Sequence, residues 1–276
     1  AFSKKDTRIT VVNNNENSGS AMSRNKGLDI ASGEYISFVD ADDYIDEKYF
    51  ESMVSKAEET DADIVLNLSI YREIKGKSSL YKLQGLPEIP ENGMFVDNVT
   101  TIHFAPCMIW ARIYKKSFLN KNGLRFFPVR TCTDDVAFNI ISTLSTDKTY
   151  IFWGEKYNYF INDIGVTIHA SRLNNWDSEH LKAYNLVYDY IKEKNICTDG
   201  LKLFRVYPFF RVDTEEKFNF YKMFFEKIKN DYYAHSEIYN DLEKYFADSI
   251  LSSGSLDDYS KKYNKIVTIG FIKKGK

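Results

Sequence analysis

A chain of 276 residues with 43% hydrophobic and 28% charged side chains has enough apolar content for one large core or two smaller ones. A net charge of −2 and a pI near 6.2 give no sign of a bulk polyanion partner, so no nucleic acid is expected. The three cysteines, Cys107, Cys132 and Cys197, share no short paired spacing. That argues against a disulfide or zinc framework and for a thiol-permissive, cytoplasmic setting. No apolar run reaches membrane-spanning length, and no signal peptide opens the chain.

In chain order, residues 1–6 read as the tail of a helix, and Arg8 to Asn13 (RITVVN) as a short strand followed by a polar loop. A helix from Ser20, its expected cap, to Gly33, its stop, puts Ala21, Met22, Leu28 and Ala31 on one inward face. Arg24 and Lys26 lie in its early part, where cations oppose the helix dipole, so an anion nearby would account for them. Tyr35 to Val39 has the length and β-branched and aromatic content of a buried strand. It ends in Asp40-Ala41-Asp42-Asp43, and Asp46 reads as the N-cap of a helix reaching about Thr60.

Those carboxylates fall in the loop beyond the carboxyl end of a strand, where open α/β sheets bind ligands. If the backbone stays extended, period-two alternation places Asp40 and Asp42 on one side. Clustered carboxylates repel and call for a counter-charge, which a hard divalent cation bridging to phosphate oxygens supplies. An isolated Asp-x-Asp between strand and helix is more often turn and capping chemistry. The neighbouring motifs are what make the metal reading specific.

Further on, Asp63 to Tyr71 reads as one strand, with Lys75-Gly76-Lys77 as a turn and Leu80 to Leu83 pairing back. Residues 85–93 read as an exposed connection, with an acceptor-side lid as the alternative. Cys107 to Lys116 is strand-like, and Ser117 opens a short helix ended by Asn122-Gly123. Thr133 is the expected N-cap of a helix that begins Asp134-Asp135, with Phe138, Ile141 and Leu144 as its buried stripe. Physics alone reads the two acids either as helix-start stabilisers or as proton-transfer groups. From Trp176 onward three helical stretches (176–194, 218–229, 236–251) carry Tyr and Phe at three- and four-residue spacings, a pattern for helix–helix packing.

The run from Glu16 to Tyr44 resembles the core of family 2 glycosyltransferases of the GT-A fold. It contains Asn17-Ser18-Gly19, Ser23-Arg24-Asn25-Lys26-Gly27, Gly33-Glu34-Tyr35-Ile36 and Val39-Asp40-Ala41-Asp42-Asp43-Tyr44 in that order. The resemblance extends through Trp110-Ala111-Arg112-Ile113-Tyr114-Lys115-Lys116-Ser117, Gly123-Leu124-Arg125-Phe126 and Asp134-Asp135-Val136-Ala137-Phe138. Asp134 stands where relatives carry Glu. In Tyr157 to Thr167, Phe160 and Ile161 stand where relatives carry Arg.

The resemblance implies an α/β fold: a GT-A (Rossmann-like) nucleotide-sugar-binding domain at residues 1–170, lacking its first strands, then a mostly helical region at 171–276. About two βα units, on the order of 60 residues, would precede Ala1, and with them the wall that holds the base and ribose. The implied reaction is inverting transfer from a nucleotide-diphosphate sugar, a UDP-sugar, to a saccharide or lipid-linked saccharide in surface-polysaccharide synthesis. Asp40 and Asp42 would hold Mn²⁺ or Mg²⁺ against the diphosphate, or Asp40 would contact the ribose. Arg24 would be the cation near the donor and Asp43 a contact to sugar hydroxyls. Asp135 would be the catalytic base with Asp134 beside it. Trp110 would stack on an acceptor sugar, and His169 would be a third metal ligand. The implied place is the cytoplasm, at the inner face of the plasma membrane, by peripheral association; Lys273, Lys274 and Lys276 are too few to anchor it alone. Two alternatives stay open: a haloacid-dehalogenase-type phosphatase, against which Tyr44 argues, and a non-catalytic remnant that binds saccharide or a partner.

Overall fold

The computed structural model describes residues 2–83, 86–98, 101–102, 109–127, 134–161, 176–195, 212–234, 236 and 241–263. The chain forms two compact units, residues 1–173 and 174–276. The first is α/β. Its helices are α1 (Gly19–Ile30), α2 (Tyr49–Thr60), α3 (Lys116–Lys121) and α4 (Asp134–Leu144). Its strands are β1 (Tyr35–Ser37), β2 (Tyr44–Ile45), β3 (Ile64–Asn67), β4 (Ile70–Ile74), β5 (Lys77–Leu80), β6 (Met94–Phe95), β7 (Arg112–Lys115), β8 (Thr149–Phe152) and β9 (Tyr157–Ile161).

Two sheets result, ordered β1-β7-β3-β8-β6 and β2-β9-β4-β5. They are mixed rather than parallel: β3/β8 and β4/β9 are parallel, and the other pairings are antiparallel. β3 is buried along its whole length, which suits the apolar run Ile64-Val65-Leu66 to a central strand.

The single strand expected over Asp63 to Tyr71 is two strands. At Leu68-Ser69 the chain leaves the first sheet and enters the second, and β8 to β9 makes the same crossing beside it. Asn67 pins the corner. Its Oδ1 accepts from the N–H groups of Ser69 (2.9 Å) and Gly154 (3.0 Å), and its Nδ2 donates to the Glu155 carbonyl (2.5 Å). A polar residue inside an apolar strand is therefore what breaks it. The β4–β5 hairpin turns at Lys75 (φ 50°) and Gly76 (φ 74°), the two positive-φ positions that a tight hairpin turn demands.

Arg8 to Asn13 forms no strand. Ile9, Val11 and Val12 stay exposed, Val11 at 63%, and among the described residues no strand pairs with them. Intrinsic β-propensity is not enough without a ladder partner. Helix α2 also starts later than expected, because Asp46 is drawn into the second sheet. Its N–H donates to the Lys156 carbonyl (3.1 Å), and its carboxylate accepts from Asn158 Nδ2 (3.3 Å). Tyr49, Met53 and Ala57 then bury one helical face at four-residue spacing.

The second unit is helical: α5 (Trp176–Lys194), α6 (Glu215–Ala234) and α7 (Asp241–Ser252). Phe218, Tyr221, Phe225, Ile228 and Tyr232 of α6 are buried at three- and four-residue steps. The Phe246 ring of α7 meets Tyr221 edge-on at 5.5 Å. Among the described residues, no helix is long and apolar enough to cross a membrane.

Candidate active site

The site begins with aromatic packing. Phe38, just past β1, meets Phe126 edge-on at 5.3 Å and Phe138 of α4 at 6.1 Å, while Phe126 and Phe138 stack at 4.1 Å. This cluster holds the end of β1 beside the start of α4. Asn25 of α1 ties in the third side: its Oδ1 accepts from Phe126 N–H (2.8 Å) and its Nδ2 donates to the Phe126 carbonyl (2.7 Å). Its neighbour Arg24 lies 5.6 Å over the Phe126 ring.

That frame converges two distant acidic stretches on one cation. Arg24 Nη1 donates to Asp134 Oδ2 (2.8 Å) and Nη2 to Asp40 Oδ1 (3.2 Å). Ser20 Oγ, one turn earlier on α1, donates to Asp134 Oδ1 (3.1 Å). The Asp134 side chain is 4% exposed and the Asp40 side chain 38%, so the bridge runs from the interior toward solvent. Asp135 is half-buried. Burial first, then the Asp134 charge, pushes its carboxyl from 3.8 up to about 7, while Arg24 and the Val136 N–H pull the other way.

Asp40 to Asp43 is a turn and not an extended segment: Asp43 N–H donates to the Asp40 carbonyl (3.1 Å). The simple alternation expected of Asp40 and Asp42 therefore does not apply. Asp43 is turned inward onto β9, accepting from Tyr157 Oη (2.7 Å) on one oxygen and from Phe160 N–H (2.9 Å) on the other. Burial raises its carboxyl, and those two hydrogen bonds oppose the rise. Asp42 is exposed and makes no hydrogen bond or ion pair among the described residues.

Residues 1–121 match the sequence profile of "Glycosyl transferase family 2". These residues belong to glycosyltransferase family 2. Among relatives, glycosyltransferase GlyG of Streptococcus pneumoniae is 37% identical over 82 residues, 29% of this chain and 27% of that protein. The poly(ribitol-phosphate) β-N-acetylglucosaminyltransferase TarP of Staphylococcus aureus is 25% identical over 182 residues, 66% of this chain and 54% of that protein. The chain thus spans about a quarter to a half of these relatives' length. Residues 1–349 of S. aureus TarS, solved in complex with UDP-GlcNAc, superpose with a TM-score of 0.59 at 16% identity, covering 91% of this chain and 72% of that one. That likeness bears on the fold. Together these matches leave no footing for the phosphatase alternative.

In this chain Arg24, Asp40, Asp134 and Asp135 come together as one cluster. Trp110 does not offer an open face. It is 9% exposed and stacks against Tyr157 (4.6 Å) and Tyr159 (5.3 Å), so its ring serves the core. His169 and Thr133 lie outside the described residues. Ser20 is not a helix cap but a partner of Asp134, and Ser18 precedes α1 without a side-chain cap. Sequence reasoning assigned no role to Tyr157. The available signal was Tyr157-x-Tyr159, which places two phenols on one side of a strand.

Among the described residues, no group of three or more His, Cys, Asp or Glu side chains could hold a metal ion. Two carboxylates nevertheless suit a hard divalent ion that completes its shell with diphosphate oxygens and water. Asp42 is unengaged, and Asp40 has a single oxygen hydrogen-bonded, to Arg24. The donor chemistry fits Mn²⁺ or Mg²⁺.

Proposed function

We propose that this chain carries the donor- and base-bearing portion of an inverting glycosyltransferase using a nucleotide-diphosphate sugar, a UDP-sugar, and a saccharide or lipid-linked saccharide acceptor. The observation that carries the reading is the Arg24 guanidinium shared between Asp40 and Asp134, which joins the two acidic motifs into one site. Asp40 and Asp42 would hold the ion. A divalent ion held there would offset the charge that builds on the departing diphosphate. Arg24, hydrogen-bonded to Asp40, is a second positive group.

In the transfer, an acceptor oxygen bonds to the anomeric carbon on the face opposite the diphosphate. The carbon–oxygen bond to the β-phosphate breaks, and the diphosphate leaves with the electron pair. Asp135 takes the hydroxyl proton, a task for which a carboxyl poised near 7 is suited. Asp134, locked by Arg24 and Ser20, holds the negative charge that keeps its neighbour basic. The UDP moiety is supported by TarS, solved with UDP-GlcNAc, and a polymer acceptor by TarP. The lipid-linked option, the cytoplasmic location and peripheral membrane association rest on family resemblance.

Calorimetric titration of UDP with and without Mn²⁺, followed by UDP release from a panel of UDP-sugars, tests this. Binding only with the ion, and release from at least one donor, is the expected result. Equal affinity with and without Mn²⁺ removes the metal assignment, and no binding in either case removes the donor reading.

A further inference from the structure

The turn that carries Asp40 and Asp42 has an internal difficulty. Three carboxylates occupy four consecutive residues, and Asp40 and Asp42 each repel Asp43. That repulsion works to splay the turn open, against its own Asp43 N–H to Asp40 carbonyl bond (3.1 Å). One side chain reaches both of its ends and adds to that closure. Tyr157 Oη donates to Asp43 Oδ2 (2.7 Å) at the last residue and accepts from the backbone N–H of Asp40 (3.4 Å) at the first. We propose that Tyr157 is a positioning residue: its phenol clips the two ends of the acidic turn and so fixes Asp40 and Asp42 for the ion and diphosphate. Asp43 is the anchor through which it acts.

The phenol's ring is buried and packed on both sides. Tyr157 is 0% exposed, its ring stacks on Trp110 at 4.6 Å and meets Tyr49 edge-on at 5.9 Å. Its backbone lies in β9 between β2 and β4, opposite Ile45 on one side and Ile70 on the other. Phe160 N–H, three residues on, takes the second Asp43 oxygen at 2.9 Å. Both Asp43 oxygens are therefore engaged by β9, and in this proposal that role stands in place of the expected contact to sugar hydroxyls. It also gives Trp110 a purpose: the indole is the backing plate of the clip. Asp42, at the turn's outer position, is left unengaged.

The inference rests on the donor-site reading above for what the turn binds, but its test separates the two. Tyr157→Phe keeps the ring and deletes the clip. Amide hydrogen exchange on the protein without ligand should show the Asp40 and Asp43 N–H groups exchanging about tenfold faster, with the β3 amides unchanged. UDP affinity in the presence of Mn²⁺ should fall about tenfold, while any ion-independent affinity stays the same. Asp43→Ala should lose as much. Asp43→Asn, which can still accept from Phe160 N–H and donate to Tyr157 Oη, should recover most of that loss. Unchanged exchange in Tyr157→Phe overturns the proposal. So does an Asp43→Asn as impaired as Asp43→Ala, since the Asp43 charge would then meet the ligand directly. If the wild-type protein shows no Mn²⁺-dependent UDP binding, the donor reading falls, and the exchange rates still judge the clip.

Discussion

Asp135→Asn separates the proposed base from the rest of the site. Burial and the Asp134 charge hold the Asp135 proton up to about pH 7 against an ordinary 3.8. A carboxyl protonated below 7 cannot accept a proton there, so kcat/KM for UDP-sugar turnover should fall about tenfold per pH unit below 7 and level off above it. Asp135→Asn should cost about 10²–10⁴ in rate, abolish that limb, and leave UDP affinity intact. The same perturbation has a stability consequence that needs no substrate. Because its folded-state pKa is raised, Asp135 favours folding while protonated, and that contribution disappears as pH climbs from 3.8 through about 7. The full effect corresponds to ~4 kcal/mol, which solvent reaching the partly accessible carboxyl reduces. Thermal denaturation of both proteins from pH 4.5 to 8 should therefore show Asp135→Asn gaining on wild type as pH rises. Two results would refute the reasoning: an Asp135→Asn enzyme with near-normal rate, or a stability difference that does not change with pH.

Three other outcomes follow from the same geometry. Arg24→Ala leaves Asp134, 4% exposed, as an unpaired buried charge and should cost about 3 kcal/mol in urea denaturation; Asp134→Asn in that background should return part of it. Asp42→Ala should leave stability within ~0.5 kcal/mol, because the side chain is exposed and unengaged. In calorimetry the same variant should lose the Mn²⁺ dependence of UDP binding. Gly93→Ala should destabilise by more than about 2 kcal/mol, since Gly93 sits at φ 86° and a Cβ there would run into the Ile151 carbonyl, Phe152 and the Tyr150 ring; chemical denaturation reads it.

The helices were legible in the sequence and the sheets less so. The apolar stripes of α2, α4 and α6 are local patterns, and a stripe at three- and four-residue spacing buries itself wherever a core is available. Strands depend on partners that periodicity does not name. Arg8 to Asn13 has the composition of a strand and pairs with nothing described. Asp63 to Tyr71 reads as one strand because its apolar run is continuous. It is two strands because Asn67 uses both ends of its amide to bend the chain into a second sheet. A lone Asn in a buried run is the one local sign of that corner, and it is also the sign of an ordinary edge.

The site divides along the same line. Arg24, Asp40, Asp134 and Asp135 could be named as candidate site residues from their motifs, but nothing local says that one guanidinium touches both acidic stretches. That contact is set by Phe38, Phe126 and Phe138, aromatic residues that read in sequence as plain core. Asp43 differs from its neighbours for the converse reason. It looks equivalent to Asp40 and Asp42, yet a turn hydrogen bond rotates it onto β9, where Tyr157 and Phe160 take both of its oxygens. Three adjacent carboxylates thus acquire three environments: Asp40 shared with a cation, Asp42 open to solvent, Asp43 spent on structure. A charge cluster is tolerable only because the fold separates its members in this way, and what remains uncompensated at Asp40 and Asp42 is the negative charge that a divalent ion would neutralise.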